Sequence, residues 1–450
     1  MALLPSPERD RTPICLALTG ANGQYGRTLV AQLAATPEIR PAVLVDPDVE
    51  GVRAMLTDLG FAADRVGVGD TAEEADRLVA EGRTALVRDQ DALPWDRLDV
   101  LVEASGKVGP GCAYAAGAIG HGAHVVMVSK EVDTVAGPAL FARAASAGLS
   151  YLPADGDQPA NLLRLLAWVS AVGLDVVAVG KAGEYELFYD PEAGTITQAE
   201  ETIPAPDFAG LVTLGDDVAG TIAARAEQVA ALKRAAAADS CEMTVVAQRT
   251  GLGADVEELR YPVVRIDELA DVYALRDHGG LIEHDGVVDV CTSLRLPGEA
   301  SFAGGVFAVV RTGDPVTWEL MRDKGHVVSA DGRYACIYWP YHYMGVETPL
   351  TVHAAVDRAP APAPRSTVLL AGRTVRDLSA GTELQVAGHY HEIEGVTTAI
   401  VPNAPGVLPF YLLDRTRLAR DVPAGTLLAP EDVAGVDQTA YDLFTEGLSR

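Results

Sequence analysis

The chain is poor in lysine and cysteine, and it lacks long apolar runs. Only five of its 35 basic residues are lysines, and the formal net charge is −28 over 450 residues. This acidic balance opposes binding to nucleic acid or to an anionic membrane. The sequence contains no run of about 18 apolar residues, which is the length needed to span a bilayer. The segment Met1 to Pro13 contains no apolar core of the length that a signal peptide needs.

The few cysteines carry information about compartment. The chain contains five cysteines, Cys15, Cys112, Cys241, Cys291 and Cys336. Their scattered positions, without CxxC spacing, are typical of reduced thiols. We therefore expect a cytoplasmic protein. A hydrophobic content of 48% with only 6% aromatics predicts cores of Ala, Val and Leu, and the length suits two or three domains.

Three glycines follow the first apolar run. The segment Gly20-Ala21-Asn22-Gly23-Gln24-Tyr25-Gly26 comes directly after Ile14–Leu18, and a helix is predicted from Arg27 to Leu33. This spacing lets a strand turn into a helix whose first N–H groups face a pyrophosphate. Asp46 ends a second predicted strand about 20 residues later, where an acidic side chain binds a ribose 2′-hydroxyl. The pattern predicts a nicotinamide-dinucleotide site formed by Gly20, Asn22, Gly23, Gln24, Tyr25, Gly26 and Asp46.

Strand and helix signals alternate through the first 150 residues, which predicts a doubly wound parallel sheet of the Rossmann type. A predicted strand at Val100–Glu103 ends in Ala104-Ser105-Gly106, whose small residues let the backbone lie beside a nicotinamide ribose. We add Ser105, Gly106 and Lys107 to the predicted cofactor contacts. Asp46 favours NAD, whereas Arg53 leaves NADP open.

The remainder divides by composition. Residues 151–356 are predicted to form an α+β catalytic or substrate domain that also mediates oligomerisation, with short strands from Tyr261 to Val356. Residues 357–366 are a Pro/Ala linker, and residues 367–450 form a β-rich module. Asp157 is predicted to cap a helix that runs to Val172.

Because lysine is so rare, each lysine is a candidate for chemistry that arginine cannot perform. Lys130 and Lys181 each follow a predicted strand, at the edge of a sheet where ligands bind. A partly buried ammonium can transfer a proton and stabilise an oxyanion, whereas a guanidinium keeps its proton. We therefore predict Lys130 and Lys181 as catalytic residues. Lys324 is a candidate for binding a substrate anion, and Lys233 is predicted on an Ala-rich helix.

Several acids and histidines complete the candidate site. Asp155 lies in a loop close in sequence to Asp157 and is predicted to orient substrate hydroxyls. Asp239 and Glu242 precede a predicted strand, and they share a face if the local backbone is helical. Asp155 and Glu242 are predicted as catalytic, and Asp239 and His342 as substrate-binding. A divalent metal held by Asp155, Asp239 and Glu242 is chemically possible, but no motif supports one. The pair His389 and His391 is interpreted as a β-strand surface.

These segments together resemble the homoserine-dehydrogenase-like oxidoreductases that carry a C-terminal SAF domain. The resemblance covers nearly the full length and is carried by the glycine segment, Val128–Lys130, Gly180–Tyr185, Cys241–Met243, Gly304–Phe307, Lys324–His326, Tyr341–Pro349, Arg376–Gly381 and Leu418–Gly425. It implies that residues 367–450 are a SAF-like domain and that Lys130 serves proton transfer near the nicotinamide. The Asn-Gly-Thr segment of true homoserine dehydrogenases is replaced here by Gly180-Lys181-Ala182-Gly183.

The family that the chain resembles also includes enzymes that act like 1-deoxy-D-xylulose 5-phosphate reductoisomerase and use NADPH. The expected function is therefore an NAD(P)-dependent oxidoreduction of a small polar hydroxy or keto substrate, such as this sugar phosphate. Two alternatives stay open: homoserine-dehydrogenase-type oxidation of a small hydroxy acid, and a non-catalytic cofactor-binding protein. A homo-oligomer without nucleic-acid or membrane partners is expected.

Overall fold

The computed structural model describes residues 12–448. The prediction about Met1 to Pro13 therefore concerns residues that lie almost entirely outside this range. The described chain forms two compact units. The first contains residues 12–157, Tyr343–Ala361 and Asp442–Glu446, and the second contains Gln158–His342, Pro362–Tyr441 and residues 447–448. The domain boundaries predicted at residues 150, 356 and 366 stay a prediction.

The fold is mixed α/β. Its strands are β1 (Ile14–Thr19), β2 (Ile39–Val45), β3 (Val66–Val68), β4 (Thr84–Val87), β5 (Val100–Glu103), β6 (His124–Met127), β7 (Tyr151–Pro153), β8 (Asp175–Ala182), β9 (Leu187–Asp190), β10 (Thr195–Gln198), β11 (Glu201–Pro204), β12 (Gly253–Ala254), β13 (Val263–Val264), β14 (Val287–Arg295), β15 (Val306–Arg311), β16 (Ala335–Trp339), β17 (Val368–Thr374), β18 (Glu383–Leu384), β19 (Val396–Pro402), β20 (Thr416–Leu418) and β21 (Val433–Ala434). Its helices are α1 (Gln24–Leu33), α2 (Val49–Asp58), α3 (Ala72–Ala80), α4 (Val108–Gly120), α5 (Lys130–Ser146), α6 (Gln158–Ala171), α7 (Val218–Gln228), α8 (Ala237–Thr250), α9 (Leu269–Val272), α10 (Pro315–Asp323), α11 (Thr348–Val356) and α12 (Gln438–Gly447).

The first unit is built on a parallel sheet of seven strands in the order β3-β4-β2-β1-β5-β6-β7. Its strands are continuous apolar runs because helices cover the sheet. Strand order reverses at β1, so the carboxyl ends of β1 and β5 form the crevice where such sheets bind ligands. The predicted Rossmann sheet is confirmed.

Local signals in the sequence explain several helix starts of this unit. The Thr71 side chain accepts a hydrogen bond from the Glu74 amide and caps α3, and Asp48 caps α2 in the same way through the Gly51 amide. The helix predicted from Arg27 begins earlier, at Gln24, so Gln24, Tyr25 and Gly26 are helical.

The second unit contains a mixed sheet of nine strands. Seven of them follow the order β11-β10-β9-β14-β8-β15-β16, and β12 and β13 pair with β14. The strands β9 to β11 precede Tyr261, where the run of short strands was predicted to begin. The C-terminal region adds an antiparallel pair, β17 with β19, and a three-stranded sheet, β18-β20-β21, so the predicted β-rich module is confirmed.

Helix α8 lies inside the second unit. It packs against α6 and β14 and also against β17 and β19 of the C-terminal region. Every residue from Asp239 to Arg249 is buried, as expected for a helix that is covered all round. The described range contains no helix with the length and apolarity needed to cross a membrane.

Candidate functional site

The glycine segment joins β1 to α1 in the conformation that a dinucleotide site requires. Gly20 has φ +63°, and a Cβ at this position would lie 2.3 Å from the Ala104 carbonyl oxygen. A Cβ at Gly26 would lie 2.7 Å from the Gly20 carbonyl oxygen, so neither position accepts a side chain. Gly23 occupies the N-cap of α1 and no side chain caps that helix. The first N–H groups of α1 therefore face the crevice, where they can donate hydrogen bonds to an anion.

Asp46 follows β2 directly and is fixed by the glycine segment. Its Oδ2 accepts from the Asn22 amide at 3.0 Å, and its Oδ1 accepts from the Asp48 amide at 2.9 Å. The Asn22 side chain is held in turn by Asp48. Arg53 is paired with Glu50 at 3.6 Å on the exposed face of α2. The residues present fit a nicotinamide dinucleotide, with a carboxylate where a ribose hydroxyl would donate.

We expect the protein to bind NAD about 10- to 100-fold more tightly than NADP, because the Asp46 carboxylate would accept from the 2′-hydroxyl and repel a 2′-phosphate. The substitution Asp46→Ser is expected to remove most of this preference. Titration calorimetry with both dinucleotides measures it, and Asp96→Asn, an exposed acid outside the glycine segment, is the matched control. An unchanged ratio in Asp46→Ser would show that Asp46 does not contact the ribose.

Glu103 organises the loop that follows β5. It is fully buried, and its Oε1 accepts from the Thr19 hydroxyl at 3.1 Å and from the Ser105 amide at 3.0 Å. Burial raises the pKa of Glu103, while hydrogen bonds from Ser105 and Ser129 oppose the rise. The Gly106 amide donates to Ser129 Oγ. The loop with Ser105 and Gly106 is thus held at the sheet edge, and the exposed Lys107 ends it.

Lys130 is the first residue of α5, directly beyond β6, as the sequence predicted for a lysine at this edge. Its Nζ lies 3.5 Å from Asp157 Oδ1, and the two side chains are 20% and 12% exposed. Asp157 directly precedes α6, and a helix cap was the role predicted for it. Burial disfavours a charged ammonium and a facing carboxylate favours it, and an ammonium at this edge of the sheet can donate a proton or stabilise an oxyanion.

Asp155 lies in the same loop but is anchored within the first unit. It is 7% exposed, its Oδ2 accepts from the Thr351 hydroxyl at 2.7 Å, and its carbonyl accepts from Thr348. The Tyr25 hydroxyl also binds Thr348. Burial raises the pKa of Tyr25, and Asp157 and Asp155 add to the shift. Tyr25 and Asp155 therefore hold the start of α11 against the rest of the first unit. This structural role is separate from the ligand contacts predicted for both residues.

Lys181 belongs to a deeply buried ionic group of the second unit. It lies inside β8, one residue before the strand ends, so the prediction that it follows the strand is wrong. Its side chain is 1% exposed. The Nζ donates to Asp239 Oδ1 at 2.7 Å and to Glu242 Oε2. We refer to Lys181, Asp239 and Glu242 as the Lys181 centre.

The strand predicted after Glu242 is wrong, because Asp239 and Glu242 lie on α8. Their spacing of three residues places both carboxylates on one face of that helix, and both reach the same ammonium. The apolar stretch after Glu242 is buried on every side, so it shows no helical periodicity and resembles a buried strand in sequence.

The electrostatics of the Lys181 centre are set by burial. Burial raises the pKa of Asp239, the Lys181 ammonium opposes the rise, and Glu242 adds to it. Two carboxylates and one ammonium carry a formal net charge of −1 when all are ionised. A buried ammonium between two carboxylates brings a proton donor and proton acceptors within hydrogen-bond distance of one another, which suits a group that gives and regains a proton.

His342 and Lys324 have different surroundings. The His342 ring lies against Gly304, whose amide donates to the carbonyl of Gly183, two residues beyond Lys181. Lys324 is exposed just after α10, and it forms no ion pair with any described residue. Lys233 lies outside any helix, and the segment with His389 and His391 is a turn, so the predicted helix and strand at these positions are wrong.

The acids that were considered for a divalent metal belong to different units, because Asp155 lies in the first and Asp239 and Glu242 lie in the second. Within residues 12–448, no three His, Cys, Asp or Glu side chains are grouped as a metal ion would require. Asp239 and Glu242 are already neutralised in part by Lys181, and Asp155 accepts from Thr351.

Asp289 is a buried acid on β14, where it pairs in register with Gly180, next to Lys181. Its Oδ1 accepts from the amides of Arg260 and Val290, and its Oδ2 has no hydrogen-bond partner among the described residues. Burial raises the pKa of Asp289 from 3.8 to about 6. The folded protein therefore binds this proton more tightly than the unfolded chain does.

We expect this acid to make unfolding pH-dependent. Its contribution to the free energy of unfolding is intact below about pH 4 and is lost as the pH rises through about 6, a total of about 3 kcal/mol. Urea unfolding at several pH values in this range measures the free energy of unfolding of the protein and of Asp289→Asn. The asparagine variant is expected to gain stability relative to the unmodified protein as the pH rises. Parallel curves would contradict the assignment.

The sequence did not identify three contacts. These are the pairing of Asp157 with Lys130, the anchoring of Asp155 by Thr351, and the hydrogen bonds that Glu103 accepts. Each depends on residues that tertiary packing brings together. Only the first had a signal, because an acid in a loop beside a rare lysine is a candidate ion-pair partner.

The family model that matches this chain covers a region that lies mostly in the second unit. Residues 156–348 match the family model described as oxidoreductase DRL, catalytic domain. The chain is 28% identical over 197 residues to a 1-deoxy-D-xylulose 5-phosphate reductoisomerase of Bradyrhizobium diazoefficiens, covering 41% of this chain and 47% of the relative. It is 29% identical over 193 residues to a protein of the same name from Jannaschia, covering 39% and 43%.

The chain thus spans about half the length of the curated relatives it matches. Among solved structures, it is similar to 1-deoxy-D-xylulose 5-phosphate reductoisomerase from Zymomonas mobilis in complex with NADPH, with a TM-score of 0.28, 16% identity, and coverage of 38% of this chain and 46% of that one. The family model and the curated relatives relate the chain to oxidoreductases of the reductoisomerase type. The Lys181 centre lies within the matched region.

Proposed function

We propose that the protein is an NAD(P)-dependent oxidoreductase that catalyses a reductoisomerase-like reaction on a sugar phosphate such as 1-deoxy-D-xylulose 5-phosphate. The observation that carries the proposal is the Lys181 centre, in which a buried ammonium is held between Asp239 and Glu242. The relatives named for this activity support the substrate class. The glycine segment and Asp46 support the dinucleotide, which supplies a hydride when bound.

The chain's own residues have distinct roles in this proposal. Lys181 donates a proton to a substrate oxygen that gains negative charge, and Asp239, whose pKa burial raises, returns a proton to it. Glu242 holds the ammonium in place. Lys130 stabilises a developing oxyanion or donates a proton, with Asp157 orienting its side chain. Proton donors positioned in this way contribute about 10²–10⁴-fold to a rate.

A substrate assay tests the proposal. Purified protein is mixed with 1-deoxy-D-xylulose 5-phosphate and either reduced dinucleotide, and the absorbance of the reduced nicotinamide is followed with and without added Mg²⁺ or Mn²⁺. A substrate-dependent loss of absorbance, with a branched polyol phosphate as product, is the expected result. No loss in any combination, together with turnover of homoserine and oxidised dinucleotide, would replace the proposal with hydroxy-acid oxidation.

A further inference from the structure

A turn of the C-terminal module lies at the beginning of α8, the helix that carries two members of the Lys181 centre. We refer to His389–Glu392 as the C-terminal turn. The carbonyl oxygen of Tyr390 accepts a hydrogen bond from the amide of Ala237, the first residue of α8, at 3.0 Å. That amide is one of the N–H groups that a helix cannot satisfy internally. No side chain caps α8, so the turn provides this partner.

Side chains of the turn contact the segment that follows Lys181 in sequence. His389 Nε2 lies 3.0 Å from a carboxylate oxygen of Glu184. The Tyr185 ring packs against His389 and Tyr390, with centroid distances of 5.6 and 5.5 Å. Glu184 and Tyr185 come directly after Gly183, the residue that follows β8, so the turn contacts the chain next to both elements that carry the Lys181 centre.

A cation fixes the turn from another direction. Lys233 Nζ lies 3.9 Å from the centroid of the Tyr390 ring and is paired with Glu392. Such a contact between an ammonium and an aromatic face is worth roughly 0.5–1 kcal/mol at a partly exposed site. Two of the five lysines in the chain therefore serve the Lys181 centre or the turn beside it.

The turn is also supported from inside its own module. His391 has φ +56°, which is unfavourable for a residue with a side chain, and its Nδ1 is paired with the Tyr411 hydroxyl at 2.9 Å. Next to Asp239, Ser240 on α8 shares a buried hydrogen bond with Thr398 of β19, at 3.1 Å. The module thus contacts the first turn of α8 at two separate points.

We propose that the C-terminal turn is a positioning element of the Lys181 centre. It fixes the beginning of α8 so that Asp239 and Glu242 keep the Lys181 ammonium between them and away from water. Tyr390 is the main positioning residue, because it combines the backbone hydrogen bond with the contacts to Tyr185 and Lys233. The expected effect on turnover rests on the proposed function, whereas the effect on Lys181 itself does not.

The first test measures the exposure of Lys181 directly in the full-length protein. Acetic anhydride labels the lysines, and mass spectrometry follows the rate at Lys181. We expect Tyr390→Ala to label at least about tenfold faster at Lys181, because lysine reactivity follows its release from burial and ion pairing. Tyr390→Phe keeps the ring and is expected to label as the unmodified protein does. Arg376→Gln, an exposed change elsewhere in the module, is the matched control.

The second test uses turnover and separates positioning from loss of stability. Tyr390→Ala is expected to lower kcat about tenfold with little change in dinucleotide affinity, and Tyr390→Phe is expected to restore kcat. If Tyr390→Ala does not fold, Lys233→Met combined with His389→Ala removes two exposed contacts of the turn and is expected to raise Lys181 labelling by about threefold. Unchanged Lys181 labelling in a folded variant would overturn the proposal even if the protein turns over no substrate. A complete lack of turnover with the expected labelling would reject only the proposed function.

Discussion

Replacing Lys181 with methionine is expected to lower kcat by about 10²–10⁴-fold. Methionine keeps much of the side-chain volume but removes the proton and the charge. Asp239 and Glu242 then face each other without a cation, and removing one partner of a buried ion pair destabilises a protein by about 3–5 kcal/mol. Since the glycine segment and Asp46, which are proposed to bind the dinucleotide, lie in the other compact unit, dinucleotide affinity is expected to stay within about twofold. Steady-state kinetics and titration calorimetry measure the two effects separately.

A control with matched burial separates chemistry from stability. Arg225 is fully buried in the same unit and forms an ion pair with Glu268, outside the Lys181 centre. Arg225→Met is expected to lower the melting temperature as Lys181→Met does, while kcat of the folded protein is retained. Equal loss of kcat in both variants would mean that Lys181 acts only through stability.

The double variant Lys181→Met/Glu242→Gln extends this test. It removes the ammonium together with one of the two unpaired charges, so it is expected to recover part of the lost stability without recovering kcat. Recovery of kcat in the double variant would contradict a proton-donating role for Lys181.

The sequence predicted the structural features whose signals lie within a few neighbouring residues. The parallel sheet of the first unit was predictable, because its apolar strands alternate with helices whose caps, such as Thr71, are encoded within four residues. The glycine segment was predictable for the same reason, since Gly20 and Gly26 are required by backbone contacts within that turn and with the neighbouring strand.

The elements that were not predicted are those whose environment is set by distant parts of the chain. Helix α8 is buried between the mixed sheet and the C-terminal strands, so its polar residues do not mark a solvent-exposed face. Strands β9 to β11 are only four residues long each, too short for their alternation to outweigh the surrounding turn residues.

In the candidate site, too, single residues were predictable from the sequence, whereas contacts with distant residues were not. The scarcity of lysine drew attention to Lys181 and Lys130, since a rare residue type is informative without any knowledge of the fold. Their partners were harder to assign. Asp239 and Glu242 lie about 60 residues beyond Lys181, and only the helical backbone of α8, which the sequence did not predict, brings both to its ammonium.

Lys130→Met is expected to lower kcat by about 10²-fold or more while leaving dinucleotide affinity almost unchanged. The reason is the position of Lys130 at the carboxyl edge of β6, where its Nζ lies 3.5 Å from Asp157 Oδ1 and its side chain is only 20% exposed. A non-catalytic cofactor-binding protein would show no turnover to lose. Steady-state kinetics and titration calorimetry on the same preparations therefore distinguish this alternative from an enzyme.

Lys130→Arg decides which chemistry Lys130 performs. Arginine keeps the positive charge and the ion pair with Asp157, but it does not release its proton at any pH that the protein tolerates. If Lys130 donates a proton, Lys130→Arg is expected to be nearly as slow as Lys130→Met. If it only stabilises an oxyanion, Lys130→Arg is expected to recover most of the rate, and proton donation then falls to Lys181 alone. Full activity in Lys130→Met would remove Lys130 from the chemistry altogether and leave its pairing with Asp157 as a structural contact.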